Sequence, residues 1–279
     1  MADRALRPFI RYYGGKWRAA PRYPAPRYGT IIEPFAGAAG YSMRYPDRNV
    51  ILVDKYPVIC EIWRWLIRSS PADVLRIPCV ESVDDLPGWV PDGARHLVGF
   101  CMTASTHHPA RRLSVGMRKR AHHGWAEGWG SKMRDRVASQ VDAIKHWRVI
   151  EGDYTEAPDA EATWFIDPPY NNKAGSHYPC GCDKIDYNAL GQWCHQRRGQ
   201  VIACENEGAT WLPFRPFALL GRGLNKPEGS REAIWTNGPM GQGHLWERST
   251  PITLPVTDGD DASSMSADAE ICCTRRGAT

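Results

Sequence analysis

Thr163-Trp164-Phe165-Ile166-Asp167-Pro168-Pro169-Tyr170 is a short run of aromatic and β-branched residues that meets an acid and then two prolines. The first four residues predict a buried strand. The prolines must end it, because neither can donate to a sheet ladder and each fixes its own φ. A carboxylate, a rigid backbone carbonyl and an aromatic ring are thereby held together at a strand's C-terminal end. In open α/β sheets that edge is where ligands bind. Alone, the same residues also fit a strand with a proline turn, in which Asp167 caps nearby amides and Tyr170 is half-buried.

Upstream, Thr30-Ile31-Ile32-Glu33-Pro34-Phe35-Ala36-Gly37-Ala38-Ala39-Gly40 is a β-rich run that breaks into small residues. A strand turning through Gly37 lets a ligand approach the backbone closely. The run is not G-x-G-x-x-G, which disfavours a dinucleotide-binding oxidoreductase. Asn49 to Asp54 predicts a second strand ending in an acid, suited to ribose hydroxyls or to capping the helix that begins at Pro57. That helix shows Ile59, Ile62, Trp63, Leu66 and Ile67 on one face, and Ser69-Ser70-Pro71 stops it. Further strands are predicted over Arg148–Tyr154, Ala162–Asp167 and Gln200–Glu205. Asp186–Arg197 is predicted helical, with Pro216–Leu220 and Glu232–Thr236 as a hairpin-like pair. The N-terminal Phe9-Ile10-Arg11-Tyr12-Tyr13-Gly14-Gly15-Lys16 is a tight turn presenting Tyr12 and Lys16 close together. The pattern is that of an α/β protein with a Rossmann-like sheet.

From Pro71 to about Gly130 the periodicity fades into a basic, loop-rich insertion. Within the stretch from Arg111 through Lys132, the cations Arg111, Arg112, Arg118, Lys119, Arg120 and Lys132 meet one acid in sequence, Glu127, with Trp125 and Trp129 among them. A solvated surface would look similar, but tryptophans interleaved with cations favour nucleic-acid contact. His107, His108, His122 and His123 do not make a metal site, because neighbouring pairs point apart. Cys180-x-Cys182 with Cys194 and His195 fits no common zinc spacing, so free thiols are expected and no metal.

The formal net charge of +4 hides an uneven distribution, since Asp258, Asp260, Asp261, Asp268 and Glu270 stand without a base between Val256 and Ile271. That stretch reads as a disordered acidic tail, leaving a more basic body that favours an anionic partner. No hydrophobic run approaches the ~20 residues a membrane helix needs. Nine cysteines, an odd count in a chain large enough to bury a core without crosslinks, point to reduced thiols in a cytoplasm.

Taken in order, these motifs resemble those of the DNA adenine-N6 methyltransferases of the Dam-like class α type. Residues 9–16 resemble that family's N-terminal cofactor motif and 33–40 its glycine motif. Asp54 matches the acid after strand two, and Gly152-Asp153-Tyr154 the acid after strand three. Asp167-Pro168-Pro169-Tyr170 matches the catalytic motif, and residues 231–237 the late strand. The likeness covers most of 9–60 and 145–240. Tyr12 and Tyr13 stand where the family usually has tryptophan and a small residue. Thr103 to Thr106 lacks the Asn-Arg stretch typical of its recognition region.

The resemblance implies a Rossmann-like methyltransferase domain over 1–70 and 131–255, an inserted target-recognition region over 71–130, and the tail over 256–279. It implies a monomer in a bacterial or phage-infected cell, using S-adenosylmethionine and acting on a flipped adenine in DNA. Catalysis then falls to Asp167, Pro168, Pro169 and Tyr170. Cofactor binding falls to Tyr12, Lys16, Glu33, Phe35, Gly37, Asp54, Asp153 and Asp167. Cytosine N4, or adenine in RNA, is an alternative acceptor, and a catalytically idle nucleic-acid-binding protein is the alternative from another class.

Overall fold

The computed structural model describes residues 5–122, 128–220 and 230–238. Its strands are β1 (Thr30–Glu33), β2 (Asn49–Asp54), β3 (Arg148–Glu151), β4 (Ala162–Ile166), β5 (Gly199–Asn206), β6 (Arg215–Leu220) and β7 (Ser230–Thr236). They form one sheet in the order β3-β2-β1-β4-β5-β7-β6. The first five are mutually parallel, and β7 runs antiparallel between β5 and β6. This is a Rossmann-like, mostly parallel α/β sheet. The chain winds outward from β1 in one direction and from β4 in the other. The cleft between the C-terminal ends of those two strands is therefore the topological switch point, where open α/β sheets bind ligands.

Successive residues alternate between two apolar layers, as the two-residue strand period requires. Ile31, Leu52, Phe165, Ile202 and Ile234 face one layer, and Ile32, Val53, Trp164, Val201 and Trp235 the other. β4 is buried along its whole length, as the opening stretch predicts. Helix α1 (Pro57–Arg68) buries Ile59, Ile62, Trp63 and Leu66 on one face. Ser69-Ser70-Pro71 stops it and starts α2 (Pro71–Arg76), where Ser70 and Asp73 cap each other reciprocally. α6 (Tyr187–His195) covers the second layer, capped by the Asp186 side chain on the Ala189 N–H.

The segment from 71 to 130 is more helical than expected. It contains α3 (Asp92–Cys101) and α4 (Val115–His122) and leads into α5 (Ser131–Gln140). The α4 sequence lacks an apolar stripe, yet arginine, lysine, methionine and alanine are good helix formers, and buried Met117 anchors it. Trp129 is also buried, bridging to Val80, so it serves the core and is not offered to a partner. Leu86, Val98, Phe100, Leu113 and Met117 join the same apolar cluster as Ile31 and Phe165 on the sheet. Trp125 and the acidic tail lie outside the described residues. No helix among the described residues is long and apolar enough to cross a membrane.

Candidate active site

Acids mark the C-terminal edge of the sheet: Glu33 ends β1, Asp54 ends β2, Asp167 follows β4, and Glu205 lies near the end of β5. Glu33, Asp54 and Asp167 line a cavity of about 900 Å³. One end is walled by Phe35, Gly37, Asp54 and Asp153, and the other by Asp167, Pro168, Pro169 and Tyr170; Tyr12, Lys16 and Glu33 also line it. Every residue expected for catalysis or cofactor binding thus meets one continuous space.

At the glycine end the backbone is drawn tight. Gly37 has φ +44°, in the left-handed region that favours glycine, and a Cβ there would lie 3.1 Å from the Tyr12 ring. Its N–H donates to Asp54 Oδ2 at 2.8 Å, while Asp54 Oδ1 accepts from Tyr56 N–H at 2.9 Å. Asp54 therefore holds the glycine turn and the approach to α1 at once. Burial pushes its pKa up to about 6 against those two hydrogen bonds. Gly40 brings the two motifs together, because a Cβ there would lie 2.6 Å from Trp17 N and 2.8 Å from Lys16 N. Glu33 accepts from Ser42 N–H at 2.7 Å, and burial pushes its pKa up to about 8. Phe35 stacks on Tyr154, and Asp153 pairs with Lys55 at 3.2 Å.

At the other end Lys16 occupies a place the sequence does not reveal. Its Nζ lies 2.8 Å from Asp167 Oδ1 and 3.5 Å from Glu232 Oε1, and it donates to the Gly14 carbonyl at 3.1 Å. It also sits 4.8 Å from the centre of the Tyr170 ring. Lys16 thus pairs with the Asp167 carboxylate and is also close enough to lower the Glu33 pKa. Burial works against its charge, and Asp167 and Glu232 more than offset that, so its pKa is raised and the ammonium persists. Asp167, 19% exposed on the cavity side, has a pKa raised to about 6. Burial is the main cause; Lys16 lowers the value, and Glu232 and Glu205 raise it. Lys16 is raised by its neighbouring acids and Asp167 chiefly by burial, so both partners of the pair shift upward.

The loop after the prolines is pinned from behind. The Tyr170 hydroxyl donates to Glu232, the Tyr187 hydroxyl donates to the Pro169 carbonyl, and Asn171 N–H donates to Glu205 Oε2 at 3.1 Å. Glu232, Glu205 and Tyr187 are the residues sequence reasoning missed. An acid directly before the apolar run Ala233-Ile234-Trp235 was the signal for the first, and an acid at the exit of β5 for the second. Asp167, Cys204 and Glu232 lie close enough to hold a cation, and Lys16 Nζ already stands beside two of them. Cys180, Cys182 and Cys194 are free thiols.

The basic residues of the insertion lie apart from this. Arg111 is 81% exposed and pairs with Asp84 at 2.9 Å, and Arg118 pairs with Glu81 at 3.3 Å. Arg112, Lys119 and Lys132 are exposed, whereas the Arg120 side chain lies outside the described residues. None of the other five lines the cavity, whose cations include Arg7, Arg11, Arg18 and Arg136 besides Lys16, Lys55 and Lys184.

No family model and no curated protein matches the chain. Among solved structures, it is similar to a "conserved hypothetical protein" of Streptococcus pyogenes, with a TM-score of 0.30 and 10% identity over 78% of this chain and 88% of that one. It is also similar to a chain described as "Putative methyltransferase yhhF from Escherichia coli", with a TM-score of 0.30 and 8% identity over 74% of each. Likeness this loose carries no argument, and the function is read from the site.

Proposed function

We propose that this protein transfers a methyl group from S-adenosylmethionine to the N6 amine of adenine in DNA, as the Dam-like class α methyltransferases do. The observation that carries the reading is the single cavity, which joins the Gly37–Asp54–Asp153 end to the Asp167–Tyr170 end. A methyl donor and an acceptor base need such adjacent sites.

The residues present fit that cofactor. A glycine turn at positive φ leaves room for close backbone approach, and Asp54, although engaged with two backbone N–H groups, keeps lone pairs for ribose hydroxyls. Phe35 and Tyr12 offer apolar walls, and Glu33 lies at the turn into the glycine motif. When bound, S-adenosylmethionine supplies an electrophilic methyl group on its sulfonium.

Adenine's exocyclic nitrogen is a poor nucleophile because its lone pair is delocalised into the ring. Asp167 and the Pro168 carbonyl are both acceptors, and together they take the two amine N–H bonds. That favours a more tetrahedral nitrogen and aims its lone pair, a positioning effect of several kcal/mol, roughly. The prolines hold the acceptors rigid. Above a pKa of about 6 the Asp167 carboxylate is ionised and can take the proton the amine sheds. Tyr170 stacks on the base, which must leave a duplex to be reached. Cations of the insertion supply phosphate contacts, with Arg111, Arg112, Arg118, Lys119, Arg120 and Lys132 as the candidates.

The test is to incubate purified protein with isotopically labelled S-adenosylmethionine and unmethylated DNA or RNA, then digest and identify nucleosides by mass spectrometry. N6-methyladenine from DNA is expected. N4-methylcytosine, or a product from RNA alone, would change the acceptor. No labelled nucleoside at all would overturn the reading.

A further inference from the structure

β7 is an interior strand, with β5 and β6 on its two sides, and Glu232 stands directly before its apolar run Ala233-Ile234-Trp235. Glu232 pairs in register with Asn206 on one side and Ala218 on the other, and it is 1% exposed. An acid buried there costs stability unless it is partnered. Its partners are functional residues. Glu232 Oε1 accepts the Tyr170 hydroxyl and lies 3.5 Å from Lys16 Nζ. Glu232 itself does not line the cavity, whereas Tyr170 and Lys16 both do.

The consequence is a three-point hold. Tyr170 is fixed at its hydroxyl by Glu232 and across its ring face by the Lys16 ammonium at 4.8 Å. Lys16 is fixed between Glu232 and Asp167, with Gly14 as a further acceptor. We propose that Glu232 is a positioning residue for methyl transfer: from behind the cavity wall it sets the ring plane of Tyr170 and, through Lys16, the placement of the Asp167 carboxylate. This rests on reading the site as an exocyclic-amine methyltransferase. The rival view is that Glu232 only holds β7 in the sheet.

The two views differ in charge as well as shape. The charged groups facing Asp167 are Lys16 from the N-terminal turn, Glu33 from β1, Glu205 from β5 and Glu232 from β7. Cys204 and the phenols of Tyr23, Tyr170 and Tyr178 also face it, and burial pushes their ionisation far up, so they remain neutral. Removing the Glu232 charge should therefore make Asp167 easier to ionise.

The experiment compares Glu232→Gln, Glu232→Ala and Tyr170→Phe in the full chain. It measures S-adenosylmethionine affinity by calorimetry, and kcat and KM on unmethylated DNA from pH 5 to 8. Glu232→Gln keeps the shape and an acceptor for Tyr170. It should lower kcat roughly tenfold, leave cofactor affinity within about threefold, and move the acid limb of the rate profile down by roughly half a unit to one unit. Glu232→Ala should lower kcat by roughly 10²-fold, and adding Tyr170→Phe should cost less than the two single effects combined, because both break one bond. A folded Glu232→Ala with wild-type kcat overturns the inference. So does a parallel loss of kcat, cofactor affinity and thermal stability with the acid limb unmoved. A wild-type chain that methylates no nucleic acid would overturn the functional reading and this inference with it, whereas an active wild type with indifferent Glu232 variants would overturn the inference alone.

Discussion

The site around Lys16, Asp167 and Glu232 and the basic face around Arg111 and Arg118 both contain paired charges, but they place them in opposite surroundings. Lys16 is 7% exposed and its two acids lie behind or beside a cavity wall. Arg111 and Asp84 are 81% and 38% exposed, and Arg118 and Glu81 are 49% and 68% exposed. In the first region burial magnifies every interaction and moves pKa values, so a single atom removed should be felt in the chemistry. In the second, water and salt screen each pair, and single contributions are small. Charge count alone would have ranked the insertion above the cavity; burial reverses the order.

The largest effect expected is from Asp167→Ala. On the proposed mechanism it removes one of the two acceptors for the amine while leaving Gly37 and Asp54 in place. Transfer should fall below detection, a loss of more than about 10³-fold, while S-adenosylmethionine binding stays measurable by calorimetry. Near-wild-type turnover in the folded variant would sink the mechanism.

Next is the pH dependence of that carboxylate. The proposed mechanism requires Asp167 ionised to accept and to take a proton, and burial raises its pKa to about 6. The rate should therefore hold above pH 7 and fall through about 6, approaching tenfold per unit at lower pH. Lys16→Met removes the cation that lowers this value, so the acid limb should move up. The same substitution strips a buried acid pair of its counter-charge and should cost about 3 kcal/mol of unfolding free energy in a urea titration. An unmoved acid limb would show that Lys16 does not set the Asp167 charge.

How much of this was legible in the sequence follows the range of the interaction. Strands β1, β2 and β4 are local patterns of β-branched and aromatic residues closed by an acid, and they fold as read. Helix α1 is written in the spacing of Ile59, Ile62, Trp63 and Leu66, and Pro57 and Ser69 fix its ends. The hold on Asp167 is different. Lys16 is separated from Asp167 and Glu232 by more than half the chain, and only the order β4-β5-β7 brings the last two together. No local pattern encodes that. The insertion misleads for another reason: α4 is helical by propensity, with Met117 as its anchor, so it lacks the apolar stripe by which helices are usually found. Trp129 reads as an exposed aromatic among cations and is buried by its bridge to Val80.

Asp54 tests the boundary between the two regions, since it is buried yet its expected partner is a ligand. Asp54→Ala should weaken S-adenosylmethionine binding by ~1–3 kcal/mol, the usual cost of an unpaired polar group. The upper end is expected, because the same carboxylate holds the Gly37 and Tyr56 N–H groups. Unchanged affinity by calorimetry would remove Asp54 from the cofactor site.

The smallest effects belong to the exposed face, and there the acids decide their ranking. Lys119 is exposed and has no acidic partner among the described residues, so a phosphate contact would neutralise it without displacing anything. Lys119→Ala should weaken DNA binding about equally on all sequences and flatten the dependence of log affinity on log salt by roughly one unit. Arg111 already faces Asp84 at 2.9 Å, so a phosphate must compete with that carboxylate. Arg111→Ala should therefore change the salt slope less than Lys119→Ala, unless Arg111 reads a base edge, in which case target choice relaxes instead. Asp84→Ala frees Arg111 and should tighten non-specific binding, the opposite sign to every other substitution on this face. The quadruple alanine variant at 111, 112, 119 and 120 sums the contacts. If it binds and methylates DNA as the wild type does at physiological salt, the face is solvation only. The cavity would then have to draw its nucleic acid through Arg7, Arg11, Arg18 and Arg136 on its own wall.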